Sequence, residues 1–150
     1  MLPGEKAPDF TLISQNGNSV SLSEFSGNPV FITFIYTSCE ASCSLILNNK
    51  DLIEQKLKAQ TGLDAAFLAI TVDPIRDSVS TLKNYLKMTG IPEKNLTLLT
   101  GETGDVKRVL TAYKIKVARW KETGEVAGHP NIGYVVGQNG LIEDVFVLDG

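Results

Sequence analysis

Cys39, Cys43 and His129 are the only cysteines and histidine in this chain. Thiolates are the nucleophilic and metal-binding form of cysteine, and a neutral imidazole is a common metal ligand. The cysteines stand as a CxxxC pair in YTSCEASCS, just after an apolar run. Four positions apart on a helix is one face, with Cβ atoms about 5–6 Å apart. A disulfide wants them at about 3.8 Å, so closing the pair requires Cys39 to lie just before the helix. Two thiolates around one metal ion tolerate the wider spacing better. The first turn of a helix also stabilises a thiolate through its free N–H groups. Metal binding and thiol–disulfide exchange, with Cys39 attacking and Cys43 resolving, both remain open. So does the plain alternative of two small buried hydrophobes in a non-catalytic binding module.

His129 stands in Gly128-His129-Pro130, a loop flanked by residues that restrict the backbone. A metal held by two thiolates accepts an imidazole as third ligand. A closed structural zinc site wants four protein ligands, and cysteine and histidine together supply three. Copper fits this set better, because Cu(I) takes two or three soft ligands and Cu(II) tolerates a mixed set. Asp73, in Thr71-Val72-Asp73-Pro74, reads locally as a turn residue or helix cap. Its place at a strand end also allows a supporting role behind the ligands. The stretch GETGD at 101–105 lacks the Lys-Ser/Thr of a phosphate loop. Tyr113, Trp120 and Tyr134 read as core or surface filler.

These residues need a frame that carries them. Phe10 to Leu22 reads as a hairpin around Asn16-Gly17, and Pro29 to Tyr36 as a central strand covered on both faces. A helix is expected from about Ser42 to Ala59, with Ile46, Ile53 and Leu57 on one stripe and Gly62 as its C-cap. Leu63 to Val72 reads as a second buried strand, Ser78 to Met88 as a helix closed by Gly90, and Leu96 to Leu99 as a short strand. Thr103 to Tyr113 is a third helix, with Val106, Val109, Leu110 and Tyr113 inward. Strands are expected over Lys114–Trp120 and Gly133–Val136, and Asn139-Gly140 turns into a last strand over Leu141–Val147. Alternating strands and helices make an α/β domain of βαβ units, and the late hairpin makes its sheet mixed.

Composition agrees. The 150 residues suffice for one domain, and 43% apolar with 21% charged residues is ordinary for a globular chain. Fourteen basic against seventeen acidic residues leave a net charge of −3, with no basic excess for a nucleic-acid partner. No run of about 20 apolar residues is present to span a membrane, and the first ten residues have no signal-peptide pattern.

The chain resembles the SCO/SenC copper-chaperone family. The matching pieces are GEKAPDFTL, FITFIYTSCEASC, AITVDPIRDSVSTLKNYLKMTGI and HPNIGYVV, in order along almost the whole chain. The CxxxC after FIYTS together with TVDPIRD is the specific part; APDF alone is shared with peroxiredoxins. The resemblance implies a thioredoxin-like three-layer sandwich with an extra N-terminal β-hairpin and a mixed central sheet. It implies copper held by Cys39, Cys43 and His129, with Asp73 supporting the site. It implies a role in cytochrome c oxidase assembly, with copper delivered to the CuA centre of oxidase subunit II or another copper-accepting protein. A thiol reductant is a further expected partner. The expected location is the periplasm or outer face of the cytoplasmic membrane, or the intermembrane-space side of the mitochondrial inner membrane. The chain would then be a soluble piece of a membrane-anchored or exported protein. Glu40 and Ser44 replace the prolines that usually follow the family's cysteines, and Gly128 replaces an acidic residue. Pro130 after His129 resembles the cis-proline loop of thioredoxins.

Overall fold

A computed structural model of the chain describes residues 1–38 and 47–147. Both Asn-Gly turns form, and in each only the glycine takes left-handed backbone: Gly17 at φ +81° and Gly140 at φ +82°. Neither turn is therefore the two-residue type I′ form, which needs positive φ at both central residues. The first joins β1 (Thr11–Ser14) to β2 (Ser19–Ser21), with Leu12 opposite Val20. A single 3₁₀ turn, Leu22–Phe25, then leads to β3 (Val30–Ile35).

β3 is buried at all six positions. Its alternate side chains feed two separate cores. Val30, Ile32 and Phe34 point to one face with Leu68, Ile70 and Leu99, under Val106, Val109 and Leu110. Phe31 and Ile35 point to the other, with Phe67 and Ala69, under Leu57, Leu82 and Leu86. The covering helices are α1 (Lys50–Thr61) and α2 (Val79–Thr89) on one side and α3 (Thr103–Ala112) on the other. β4 (Ala66–Thr71) and β5 (Leu96–Thr100) run parallel to β3, as right-handed crossovers through helices require. Antiparallel β8 (Ile132–Val136) and β9 (Ile142–Val147) follow on the far side of β3. The result is a mixed seven-stranded sheet in the order β2-β1-β5-β4-β3-β8-β9. This is the α/β domain with a mixed sheet that the sequence pattern predicts, and the thioredoxin-like sandwich with an added N-terminal hairpin that the family resemblance implies.

The helix ends follow local chemistry. Gly62 at φ +74° and Gly90 at φ +70° donate back to the Lys58 and Leu86 carbonyls as left-handed C-caps. Ser78 caps α2 by accepting from the Thr81 N–H. The expected start of the first helix at Ser42, and Ile46 on its stripe, lie outside the described residues.

The strand expected over Lys114–Trp120 is largely absent. Lys114 adopts φ +59° and Ile115 N–H returns to the Leu110 carbonyl, so these residues close α3 instead of extending. Only β6 (Ala118–Arg119) is strand, paired with an unforeseen β7 (Val126–Gly128) in a small separate hairpin. Tyr113 and Tyr134 are core, with their hydroxyls on the Pro8 and Tyr113 carbonyls; Trp120 is 59% exposed.

Candidate functional site

His129 lies between β7 and β8, and the pairing of β8 with β3 decides where that is. The antiparallel register sets Val30 against Val136 and Thr33 against Gly133. β8 begins at Ile132, three residues after His129, and β3 ends at Ile35, four residues before Cys39, so both segments lie off the same end of this ladder. The ring contact agrees: the His129 and Tyr36 rings meet edge to face, with centroids 5.5 Å apart at 73°. A residue late in the chain thus stands beside the segment that leads into the CxxxC pair.

The imidazole is half-buried and oriented. Its Nδ1 lies 3.0 Å from the Pro130 carbonyl oxygen. A carbonyl only accepts, so the proton of the neutral ring belongs on Nδ1, and Nε2 keeps its lone pair for a ligand. Burial lowers the pKa of His129, against a smaller opposing effect of the Pro130 hydrogen bond. Burial, the larger effect, favours the neutral ring, and the Pro130 carbonyl selects its Nδ1–H tautomer, which leaves the Nε2 lone pair for a ligand. No peptide bond among the described residues is cis, so the bond into Pro130 is trans, unlike that of the thioredoxin loop it resembles in sequence.

Asp73 is buried at the carboxyl end of β4 and is claimed by two arginines. Arg76 Nη1 lies 3.3 Å from its Oδ1, and Arg119 Nη1 lies 3.5 Å from the same oxygen. Both guanidinium groups also bond main-chain carbonyls: Arg119 that of Val72, and Arg76 those of Thr123 and Gly124. Asp73 therefore ties β4 to the β6–β7 hairpin. That hairpin ends at Gly128, opposite Ala118, one residue before His129.

Asp77 is a site-side residue that local sequence reasoning passes over. Its carboxylate accepts from the Thr37 N–H at 3.0 Å, from the Thr37 hydroxyl and from the Thr71 hydroxyl at 2.7 Å. The signal was the second acidic residue of TVDPIRD. It precedes the cap Ser78, so by local pattern it reads as an acid placed for the helix.

Of the four residues singled out by sequence, the structure describes His129 and Asp73; Cys39 and Cys43 lie outside the described residues. Among the described residues no three His, Cys, Asp or Glu side chains cluster tightly enough to hold a metal ion. A cavity of about 530 Å³ lies elsewhere, between α1 and β9 beside Phe31, Leu57 and Phe146.

Comparison with known proteins points one way. The SCO1/SenC family profile matches residues 2–148. An SCO2-like protein of Rickettsia typhi is 31% identical over 144 residues, covering 93% of this chain and 69% of the relative. The structure of Bradyrhizobium japonicum ScoI with copper bound is 28% identical with a TM-score of 0.77, covering 97% of this chain and 91% of that one. The structure of BsSco, a member of the Sco family of cytochrome c oxidase assembly proteins with a disulfide switch, is 26% identical with a TM-score of 0.75. It covers 97% of this chain and 85% of that one.

Proposed function

The chain belongs to the SCO1/SenC family, and on that premise we propose that it is a metallochaperone that carries copper as cargo. In this reading Cys39 and Cys43 supply two thiolates and His129 supplies Nε2. Two thiolates and a neutral imidazole sum to −1 around Cu(I) and to zero around Cu(II), charges that a site near the surface accommodates. Both sulfurs must be reduced, because a disulfide has no thiolate to offer, so the redox state of the pair gates loading. The acceptor is a copper-accepting protein, with the CuA site of oxidase subunit II as the specific target. The protein then works outside the cytoplasmic membrane or in the intermembrane space, beside a thiol reductant.

The observation that carries the reading is the contact of His129 with Tyr36, three residues from Cys39. The Nδ1 contact with Pro130, which leaves Nε2 as donor, supports it. The copper in ScoI and the oxidase-assembly role of the Sco family lend it precedent. The test is anaerobic titration of the reduced protein with Cu(I) and Cu(II), alongside His129→Ala. Loss of Cu(II) affinity and a changed visible spectrum are expected; an unchanged affinity and spectrum removes His129 from the ligand set.

A second reading is thiol–disulfide exchange, favoured by the disulfide switch named for BsSco. Here the Cys39 thiolate attacks a protein disulfide and releases one target thiol. Cys43 then attacks the Cys39 sulfur of the mixed disulfide, releasing the second target thiol and forming a Cys39–Cys43 disulfide, which an external dithiol reduces as it is itself oxidised. Failure to reduce any protein disulfide in the presence of a dithiol sinks it.

A further inference from the structure

Asp77 is 1% exposed, and no Lys, Arg or His side chain pairs with it among the described residues. A buried carboxylate is strongly disfavoured unless hydrogen bonds replace its water. Here every replacement is a neutral donor: the Thr37 N–H, the Thr37 hydroxyl and the Thr71 hydroxyl. The helix beside it does not use this side chain, since Ser78 caps α2. Its own main chain is held as well, by its N–H to the Asp73 carbonyl and its carbonyl to the Thr100 hydroxyl. The Asp77 carboxylate is thus braced by Thr71 of β4, its main chain by Thr100 of β5, and two of the carboxylate's three bonds go to Thr37.

That residue is placed for consequence. The β3–β4 ladder runs out at Ile35 opposite Thr71, where Val72 N–H takes the Ile35 carbonyl. Thr37 comes just past the ladder, where its N–H would otherwise lack a strand partner. Asp77 supplies an acceptor for that N–H and a second one for the hydroxyl. Two bonds to a single residue fix both its main chain and its side-chain rotamer. We propose that Asp77 is a positioning residue for the thiol site, holding Thr37 so that the chain leaves β3 toward Cys39 in a set direction. This role deepens, and rests on, the reading of Cys39 as a ligand.

The test compares Asp77→Asn, Thr37→Val and Thr71→Val in the whole chain. The amide of Asp77→Asn turns one acceptor into a donor and cannot satisfy all three partners. Cu(II) affinity is expected to fall about 10- to 100-fold, as for other residues that orient metal ligands, with a shifted thiolate-to-copper absorption band. Thr71→Val removes one bond to the same carboxylate, together with the bond its hydroxyl accepts from the Asp73 N–H, but leaves both bonds to Thr37. It should lower stability and leave affinity and band unchanged. If Asp77→Asn does not fold, Thr37→Val decides, since it keeps the main-chain bond and loses only the hydroxyl bond; a smaller loss in the same direction is expected.

The alkylation rate of the metal-free thiols by iodoacetamide is read in parallel. It should change several-fold in Asp77→Asn and Thr37→Val and stay constant in Thr71→Val. If the parent protein binds no copper, the chaperone reading fails, and the alkylation rates alone judge Asp77. Folded Asp77→Asn or Thr37→Val with parental affinity, band and thiol reactivity overturns the proposal. So does Thr71→Val if it perturbs the site as much as Asp77→Asn.

Discussion

Arg119 Nη1 stands 3.5 Å from Asp73 Oδ1, while its Nη2 donates to the Val72 carbonyl. The pair joins the end of a central strand to a two-stranded hairpin outside the main sheet, and the hairpin ends at the residue before His129. Removing Asp73 leaves two arginines facing a buried site without their carboxylate. Asp73→Ala should cost about 1–3 kcal/mol of stability, discounted because both guanidinium groups are partly exposed. On the chaperone reading, Arg119→Ala should also weaken Cu(II) binding by loosening the hairpin. Urea unfolding and copper titration of the two variants check both statements. Arg119→Ala with parental copper affinity would show that the hairpin stays in register without the tie.

Tyr36 meets His129 edge to face, and such ring pairs contribute about 0.5–1.5 kcal/mol beyond area burial. Tyr36→Leu keeps an apolar side chain and removes the ring. It should leave the imidazole less well oriented and reduce Cu(II) affinity by roughly the tenfold that this energy represents at its upper end. A calorimetric titration of the variant measures it, and an affinity equal to the parent's would mean the contact orients nothing.

The two cores set a contrast that needs no ligand. Leu82 is fully buried against the β4 and β5 face, whereas Leu52, on the neighbouring helix α1, is 54% exposed. Leu82→Ala should cost about 2–5 kcal/mol through lost contacts and the cavity left behind. Leu52→Ala should stay within about 0.5 kcal/mol. Equal midpoints for the two variants in denaturant would contradict the layer assignment.

Glu93 gives a pH test away from the site. The Lys83 hydrogen bond, then the Gln15 hydrogen bond, lower its pKa against a smaller opposing effect of burial. A carboxylate whose folded pKa lies below its unfolded value stabilises the fold above the unfolded value, about 4.3, and loses that contribution as pH falls through the folded one. Glu93→Gln should therefore be less stable than the parent at neutral pH, with the gap closing as the pH drops below about 4. Thermal melts across that range read it, and a gap that widens in acid would reverse the sign.

Part of this molecule is written locally. The nearly continuous apolar run of β3, interrupted only by Thr33, fits a β-branched strand covered on both faces. Gly62, Gly90, Gly17 and Gly140 take the left-handed backbone that their contexts ask for, since a residue without Cβ meets no clash there. The CxxxC spacing and the lone histidine limit the chemistry to what three ligands can do. Where local reading went astray, a local ambiguity lay behind it. The end of α3 was legible to within a residue, but Lys114 is a residue type that rarely adopts positive φ, so the turn that replaces the start of the expected Lys114–Trp120 strand left no mark in the side-chain pattern.

Tertiary structure decided the rest, because each remaining relationship crosses the sheet. His129 reaches Tyr36 only because β8 pairs antiparallel with β3 in one register. Asp73 meets Arg119 only because the β6–β7 hairpin folds back over the end of β4. Asp77 turns from its helix to Thr37 because Ser78 already caps that helix and the parallel β3–β4 ladder ends beside it. Residue types and spacing determined which atoms were available for chemistry. Strand order and register determined which of them meet, since hydrogen-bonded pairing across a sheet ignores distance along the chain.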